Sequence, residues 1–249
     1  MRYALISDVH ANLPALDAVL SDIASRDDIG AVHHLGDLVG YAPWPNEVVA
    51  RIRDERITGV AGNYDSTVAA DYKHCGCRYE DAQQEVLSHL SYEWTRAHAT
   101  RDTKRFLEAL PFRLDLRPLG GHTAGPTLML VHGNQVLNTV YVTGERSDDF
   151  LMNMAGAMGA RRDDVVAFGH THVPWHREVG GVHFVNTGSV GRPKDGDPRA
   201  GYVVVDIGPN EFSVDLVRVP YDVDAACLAI RESELPNELA DFLRAGGRG

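Results

Sequence analysis

Five short polar motifs, each closing an apolar run, constrain what this chain can fold into. Asp8-Val9-His10 follows YALIS, Gly36-Asp37 follows AVHHL, Gly62-Asn63 follows ITGVA, His132-Gly133 follows TLMLV, and Gly169-His170-Thr171-His172 follows DVVAF. Short apolar runs bounded by turn residues read as buried strands. In open α/β sheets ligands bind outside the carboxyl ends of strands, so the five motifs are expected to converge on one crevice. Glycine before Asp37, Asn63 and His170, and after His132, permits the tight turns and close backbone approach that a crowded site needs.

The same periodicity sets out the architecture. Strands are predicted at Tyr3–Ser7, Ala31–Leu35 and Ile57–Ala61, with a helix capped by Asn12 after the first and another over Asn46–Arg56. This βαβαβ opening indicates a largely parallel sheet. A mostly helical segment follows at about residues 66–110, with Val86, Leu87, Leu90 and Trp94 on one face. Further strands are predicted at Phe112–Leu116, Thr127–Val131, Val165–Phe168, Val182–Val185 and Tyr202–Ile207, and Phe212–Val219 alternates as an antiparallel strand does. Val223–Arg244 reads as helical with an interruption near Pro236, and the GGRG tail as frayed. A parallel opening and a later meander do not fit one sheet. The expected fold is therefore α/β, two mixed β-sheets packed face to face and flanked by helices. No repeat, low-complexity linker or composition break divides residues 1–249, which read as a single domain.

Composition narrows the partners. The net charge of −11, from 35 acidic and 24 basic residues, opposes stable binding to nucleic acid or to anionic membranes. No apolar run approaches the roughly 20 residues of a membrane span, and no secretory h-region is present. A cytoplasmic location is expected, and a homo-oligomer is compatible with the sequence. Cys75, Cys77 and Cys227 cannot all pair within one chain and are read as reduced thiols.

The chemistry lies in the motif residues. Asp8, Asp37, Asn63, His10, His132, His170 and His172 supply two carboxylates, one amide oxygen and four imidazoles. That mixture of hard and borderline donors suits manganese, iron, zinc, nickel or cobalt better than calcium or copper(I). A strand-terminal aspartate or a lone histidine is more often structural, and it is five motifs in one order that point to a metal site.

The order D-x-H, GD, GN, H and GHTH resembles the calcineurin-like metallophosphoesterases. Asn186-Thr-Gly-Ser-Val-Gly-Arg-Pro followed by Asp195-Gly-Asp-Pro-Arg-Ala is similar to the small prokaryotic phosphodiesterase branch of that family. The resemblance implies a four-layer sandwich and two divalent ions per chain, with manganese favoured. It assigns one ion to Asp8, His10, Asp37 and His172, and the other to Asp37, Asn63, His132 and His170, so that Asp37 bridges them. It implies hydrolysis of a diester or monoester of a small phosphorylated substrate, nucleotides included, by attack of a metal-bridging hydroxide. The alternative on the same fold is a catalytically weak, metal-binding interaction scaffold. Asp37, Asn63, Tyr64, Asp65 and His132 are the catalytic candidates. One position departs from the pattern: where the family commonly has Gly-Asn-His-Asp/Glu, this chain has Gly62-Asn63-Tyr64-Asp65. A phenol with a pKa near ~10 is a poorer proton donor than imidazolium.

Asn12, His74 and Arg192 are candidate substrate contacts: His74 from the loop soon after Tyr64, Arg192 from the GSVGRPK turn. Lys194 reads as a solvated loop charge. His33 and His34 fall within a strand, where at least one is expected to be buried. His89 and His98 are expected to be exposed on a helix.

Overall fold

The computed structural model describes residues 1–77, 82–117, 125–208 and 212–247. The first sheet contains β1 (Arg2–Ile6), β2 (Ile29–His34), β3 (Thr58–Gly59), β9 (Ala200–Ile207) and β10 (Phe212–Val219), in the order β10-β9-β1-β2-β3. Its β1-β2-β3 half is parallel, and β9 and β10 are antiparallel. The second sheet contains β4 (Arg113–Leu116), β5 (Leu128–Val131), β6 (Val165–Phe168), β7 (Trp175–Val179) and β8 (Val182–Asn186), in the order β4-β5-β6-β8-β7. There β5, β6 and β8 run parallel between two antiparallel edge strands.

Strand alternation explains why the sheets stack. Successive side chains point to opposite faces. Tyr3 and Leu5 of β1, with Val203 and Val205 of β9, meet Leu128, Leu130, Val165 and Ala167 in one inter-sheet layer. The intervening Ala4 and Ile6 face the helix side, against Leu16 and Val19 of α1 (Leu13–Ala24), Val48 and Ile52 of α2 (Pro45–Asp54), and Ile230 of α7 (Val223–Glu232). On the outer face of the second sheet, Met129, Val131, Val166 and Phe168 cover Leu151, Met154 and Met158 of α6 (Asp148–Met158). Helix, sheet, sheet, helix is the resulting layer order.

Two elements escaped the sequence reading. Strand β7 carries three consecutive polar residues, His176, Arg177 and Glu178, because it is an edge strand, and Gly180 and Gly181, at φ 61° and 83°, turn it into β8. Helix α6 is short but well bounded, by the Ser147 hydroxyl at its start and a left-handed Gly159 at its end. The 66–110 region holds the ends of α3 (Asn63–Ala69), then α4 (Ala82–His98) and α5 (Arg101–Glu108). The face of α4 differs in part from expectation: Leu87 and Trp94 do pack against the core. Val86 and Leu90 are exposed, and Ser88, Ser91, Tyr92 and Thr95 turn inward. The Ser91 hydroxyl accepts from the Tyr41 N–H at 2.8 Å, so small polar residues are what this interface selects. At the carboxyl end, α8 (Glu238–Arg244) is followed by a packed turn, not a frayed one: the Gly196 N–H donates to the Gly246 carbonyl at 2.8 Å. Residues 248–249 lie outside the described residues. No helix among the described residues is long and apolar enough to cross a membrane.

The inter-sheet layer is the test of this stacking. Leu5→Ala, at a fully buried position, should cost about 2–5 kcal/mol. Leu216→Ala, at a side chain 48% exposed on β10, should stay within about 0.5 kcal/mol. Urea unfolding followed by circular dichroism measures both, and equal losses would contradict the assignment of Leu5 to the layer.

Candidate metal centre

The parallel strands of both sheets deliver their carboxyl ends to one edge. Asp8 and His10 leave β1, Asp37 follows β2, and Asn63 opens α3 just after β3. His132 leaves β5, and His170 and His172 leave β6. Backbone bonds lock these loops together. The N–H groups of Asp8, His10 and Ala11 donate to the carbonyls of Gly36, Asp37 and Leu38, and Gly191 N–H donates to the Asp8 carbonyl. Asp8, His10, Asp37, His170 and His172 all adopt left-handed backbone, with φ between 48° and 66°. Non-glycine residues in that region cost on the order of 1–3 kcal/mol each and persist where the surroundings over-determine them. Here the strain is concentrated on the motif residues themselves.

The ligand atoms are aimed by their second contacts. Asp8 Oδ2 accepts from the Ser7 hydroxyl and, at 3.0 Å, from the His170 N–H, while Asp8 Oδ1 is buried with no hydrogen-bond partner. Asp37 Oδ1 accepts from Tyr64 N–H at 2.8 Å, which leaves Oδ2 facing His132 Nε2 at 3.5 Å and His10 Nε2 at 3.9 Å. The Nδ1–H groups of His10, His132 and His172 donate to the carbonyls of Val39, Leu35 and Arg192, at 3.1, 2.7 and 2.5 Å. Anchoring one ring nitrogen this way turns the other inward, toward the position a ligand atom must take. The Nε2 atoms of His10 and His172 then approach to 3.1 Å, and His132 Nε2 stands 3.2 Å from Asn63 Oδ1. His170 Nε2 is buried without a hydrogen-bond partner among the described residues. The result is two groups of donors, Asp8–His10–His172 and Asp37–His132–His170, each with its ligand atoms within 4.8 Å of one another.

These orphaned, converging donors fit divalent cations. Burial and the neighbouring His172 push His10 down to about 3, so its ring stays neutral, as ligation requires. Burial also holds His170 and His172 well below the ordinary histidine range, with His132 and Lys194 respectively adding to the effect. His132 goes the other way. Burial alone would lower it, but the charge and hydrogen bond of Asp37 outweigh that and hold the ring at about 9.

Glycine is indispensable at two points. A Cβ on Gly62 would fall 2.0 Å from Asp37 Oδ1, and one on Gly169 would fall 1.9 Å from Ser7 Oγ.

The other sequence candidates divide. Tyr64 lines the cleft, but its hydroxyl donates to the Ser88 carbonyl at 3.3 Å. Asp65 is fully buried outside the cleft lining. Its two oxygens accept from Leu38 N–H and Gly62 N–H at 2.9 and 3.0 Å, bracing two motif loops together. Burial and then repulsion from Asp37 raise its pKa to about 7. Asn12 is fully buried and committed: it caps α1, and its amide donates to the Gly191 carbonyl and the Tyr221 hydroxyl. His74 lies exposed in a separate shallow hollow with Thr67, Tyr72, Lys73 and Gly76. Arg192 does line the cleft, which has a volume of about 960 Å³, as does Lys194. Cys75 and Cys77 are joined in a disulfide, their Cα atoms 5.4 Å apart, so the expectation of reduced thiols holds only for buried Cys227. Cys77 Sγ accepts from the Asn63 amide at 3.1 Å.

Sequence reasoning missed Tyr41, Tyr141 and Phe242, which also line the cleft. The Tyr141 ring packs 4.3 Å from that of His170. Only Tyr41 carried a signal, standing directly after the tight Gly40 turn, at φ 65°.

The sequence model of the calcineurin-like phosphoesterase superfamily domain matches residues 1–210. The chain is 30% identical to the uncharacterised protein MJ0912 of Methanocaldococcus jannaschii, over 98% of this chain and 97% of that one. It is 23% identical to phosphodiesterase YfcE of Escherichia coli K12, over 83% of this chain and 88% of the other. The crystal structure of a metallophosphoesterase from Sphaerobacter thermophilus superposes with a TM-score of 0.74 at 31% identity, covering 99% of each chain.

The raised pKa of His132 has a measurable consequence. Below about pH 9 the ring holds a proton that an incoming cation must expel, so metal affinity should rise with pH and level off above that value. Titration with Mn²⁺ at pH 7, in buffers of different ionisation enthalpy, should show release of about one proton per chain from this ring. His132→Gln should abolish the release, and unchanged release in that variant would contradict the assignment.

Proposed function

The chain belongs to the calcineurin-like phosphoesterase superfamily, and from that premise we propose that this metal-dependent phosphoester hydrolase works with two divalent ions per chain. Asp8, His10, Asp37 and His172 are the ligands of one, and Asp37, Asn63, His132 and His170 of the other, with Asp37 shared. The observation that carries this reading is the pair of buried donor groups, in which Asp8 Oδ1 and His170 Nε2 have no hydrogen-bond partner among the described residues. The mixed oxygen and imidazole set suits manganese, iron, zinc, cobalt or nickel, and manganese is our first choice. When bound, a pair of such ions lowers the pKa of a water and offsets charge on phosphate oxygens.

The residues of the chain do the remaining work. The carbonyls of Val39, Leu35 and Arg192 hold three imidazole rings in one orientation, so the site is preorganised before substrate arrives. With its hydroxyl given to Ser88, Tyr64 packs against the His10 ring at 5.6 Å and serves as a wall. The leaving oxygen thus gains no proton from position 64, and esters with stable leaving anions are favoured. The cleft volume of about 960 Å³ suits a small phosphorylated molecule. Similarity to a phosphodiesterase supports a diester as the first substrate to try. Arg192 is the proposed substrate contact among the residues around the metal ligands.

The test is a matrix of metals against substrates on metal-stripped protein: Mn²⁺, Fe²⁺, Co²⁺, Ni²⁺ and Zn²⁺ with nitrophenyl mono- and diesters and cyclic nucleotides. Turnover should depend on added metal and be highest for an aryl diester with Mn²⁺. Asp37→Ala should lose both ions, and activity by more than the about 10–100-fold typical of outer-shell changes. Two tightly held ions in that variant, or full activity in stripped protein, would contradict the proposal.

A further inference from the structure

Arg192 is the one arginine that is buried among the described residues, at 8% exposure, and none of those residues offers it a carboxylate within 4 Å. Arginine is almost never buried unless it is paired. What holds this one is aromatic. Its guanidinium carbon lies 4.0 Å from the Tyr41 ring centroid and 4.3 Å from that of Phe242. Contact with two rings restrains the guanidinium, whose N–H groups can serve an anion in the cleft. The backbone is pinned as well: Arg192 N–H donates to Ser189 Oγ at 2.8 Å, and its carbonyl accepts from His172.

The position is specific. The Tyr41 ring touches both the guanidinium and His10, the latter at 4.8 Å, so the cation stands beside the ligand shell and opens into the same cleft. Phe242 comes from α8, beyond the residues 1–210 that the superfamily model covers. The turn after α8 seats against the 193–197 loop, where a Cβ on Gly247 would fall 2.4 Å from Lys194 Cα. The terminal helix and its turn therefore build one wall of the cleft and hold an arginine in it.

We propose that Arg192, clamped between Tyr41 and Phe242, grips a second, non-scissile phosphoryl group, which makes phosphoanhydride-linked compounds such as nucleoside diphosphates the preferred substrate class. The proposal rests on the hydrolytic reading above. A simple diester brings one negative charge, which the metal centre meets. A fixed extra cation beside that centre is useful to a substrate carrying more charge next to the reacting phosphorus. In the reaction a water oxygen bonds to the scissile phosphorus and the P–O bond to the leaving oxygen breaks. The two water protons go to the leaving group and to solvent.

Two measurements decide it. First, kcat/KM is compared for ADP and for bis(p-nitrophenyl) phosphate in Mn²⁺-loaded wild type, Arg192→Gln and Phe242→Leu. Arg192→Gln should lower the ADP value about 10–100-fold more than the diester value, the range for a charge-assisted contact. Phe242→Leu, which keeps the charge and loosens the clamp, should show the same selectivity to a smaller extent, mainly in KM. Equal losses on both substrates would mean that Arg192 acts on the scissile phosphate, and no loss would mean that it binds neither; each overturns the proposal. Second, calorimetry of Mn²⁺-loaded protein with imidodiphosphate and with orthophosphate should give a preference for imidodiphosphate that Arg192→Gln removes. If wild type hydrolyses no ester at all, the hydrolytic reading fails, while the calorimetric comparison still decides the role of Arg192.

Discussion

Asp8 and Asp37 are held out of water at the meeting edge of two sheets, and two carboxylates so placed repel each other unless donors or cations offset their charge. The protein answers half of that demand itself. One oxygen of each carboxylate is bound by backbone N–H groups, helped at Asp8 by the Ser7 hydroxyl. The other oxygen of each faces imidazole nitrogens, and at Asp8 it has no hydrogen-bond partner. His132 supplies a proton to this arrangement, since the charge of Asp37 holds its pKa at about 9. A divalent ion would replace that proton with a stronger and better directed charge.

Much of the surrounding structure serves this constraint. Five motif residues are kept in left-handed backbone, an unfavourable arrangement that needs rigid neighbours. Rigidity comes from the inter-sheet layer below the site and from loop-to-loop bonds across it, including Ser189 Oγ to the Asp8 carbonyl at 2.7 Å. Asp65, a catalytic candidate in the sequence, ties Leu38 and Gly62 together and so fixes the Asp37 and Asn63 loops against each other. Asn12 does similar work between α1 and the Gly191 turn. Both are polar and buried because the backbone groups they satisfy would otherwise be orphaned.

Much of this could be read from the sequence, for a physical reason. A fully buried parallel strand must be apolar throughout, and its carboxyl end must turn sharply, so YALIS-Asp8 or DVVAF-Gly169 announces both strand and site. The two-sheet architecture followed from counting such runs. Edge strand β7 was hidden because an edge tolerates polar residues, here His176, Arg177 and Glu178 in a row. The buried face of α4 was misread in part because Ser88 and Ser91 stand on it beside Leu87 and Trp94, and their hydroxyls accept from the Tyr41 hydroxyl and backbone N–H. His74 lay close to Tyr64 in sequence, yet the fold carries it into another hollow. Phe242 gave no sign at all: its contact with Arg192 joins residues fifty positions apart through packing that no periodicity encodes.

The central claim is that two ions share Asp37 within one buried centre. Electron paramagnetic resonance of protein loaded with two equivalents of Mn²⁺ tests it most directly, because ions about 3.5–4 Å apart are exchange-coupled. The account predicts a coupled dinuclear spectrum in wild type. Two independent mononuclear Mn²⁺ signals, at full loading of both donor groups, would contradict it.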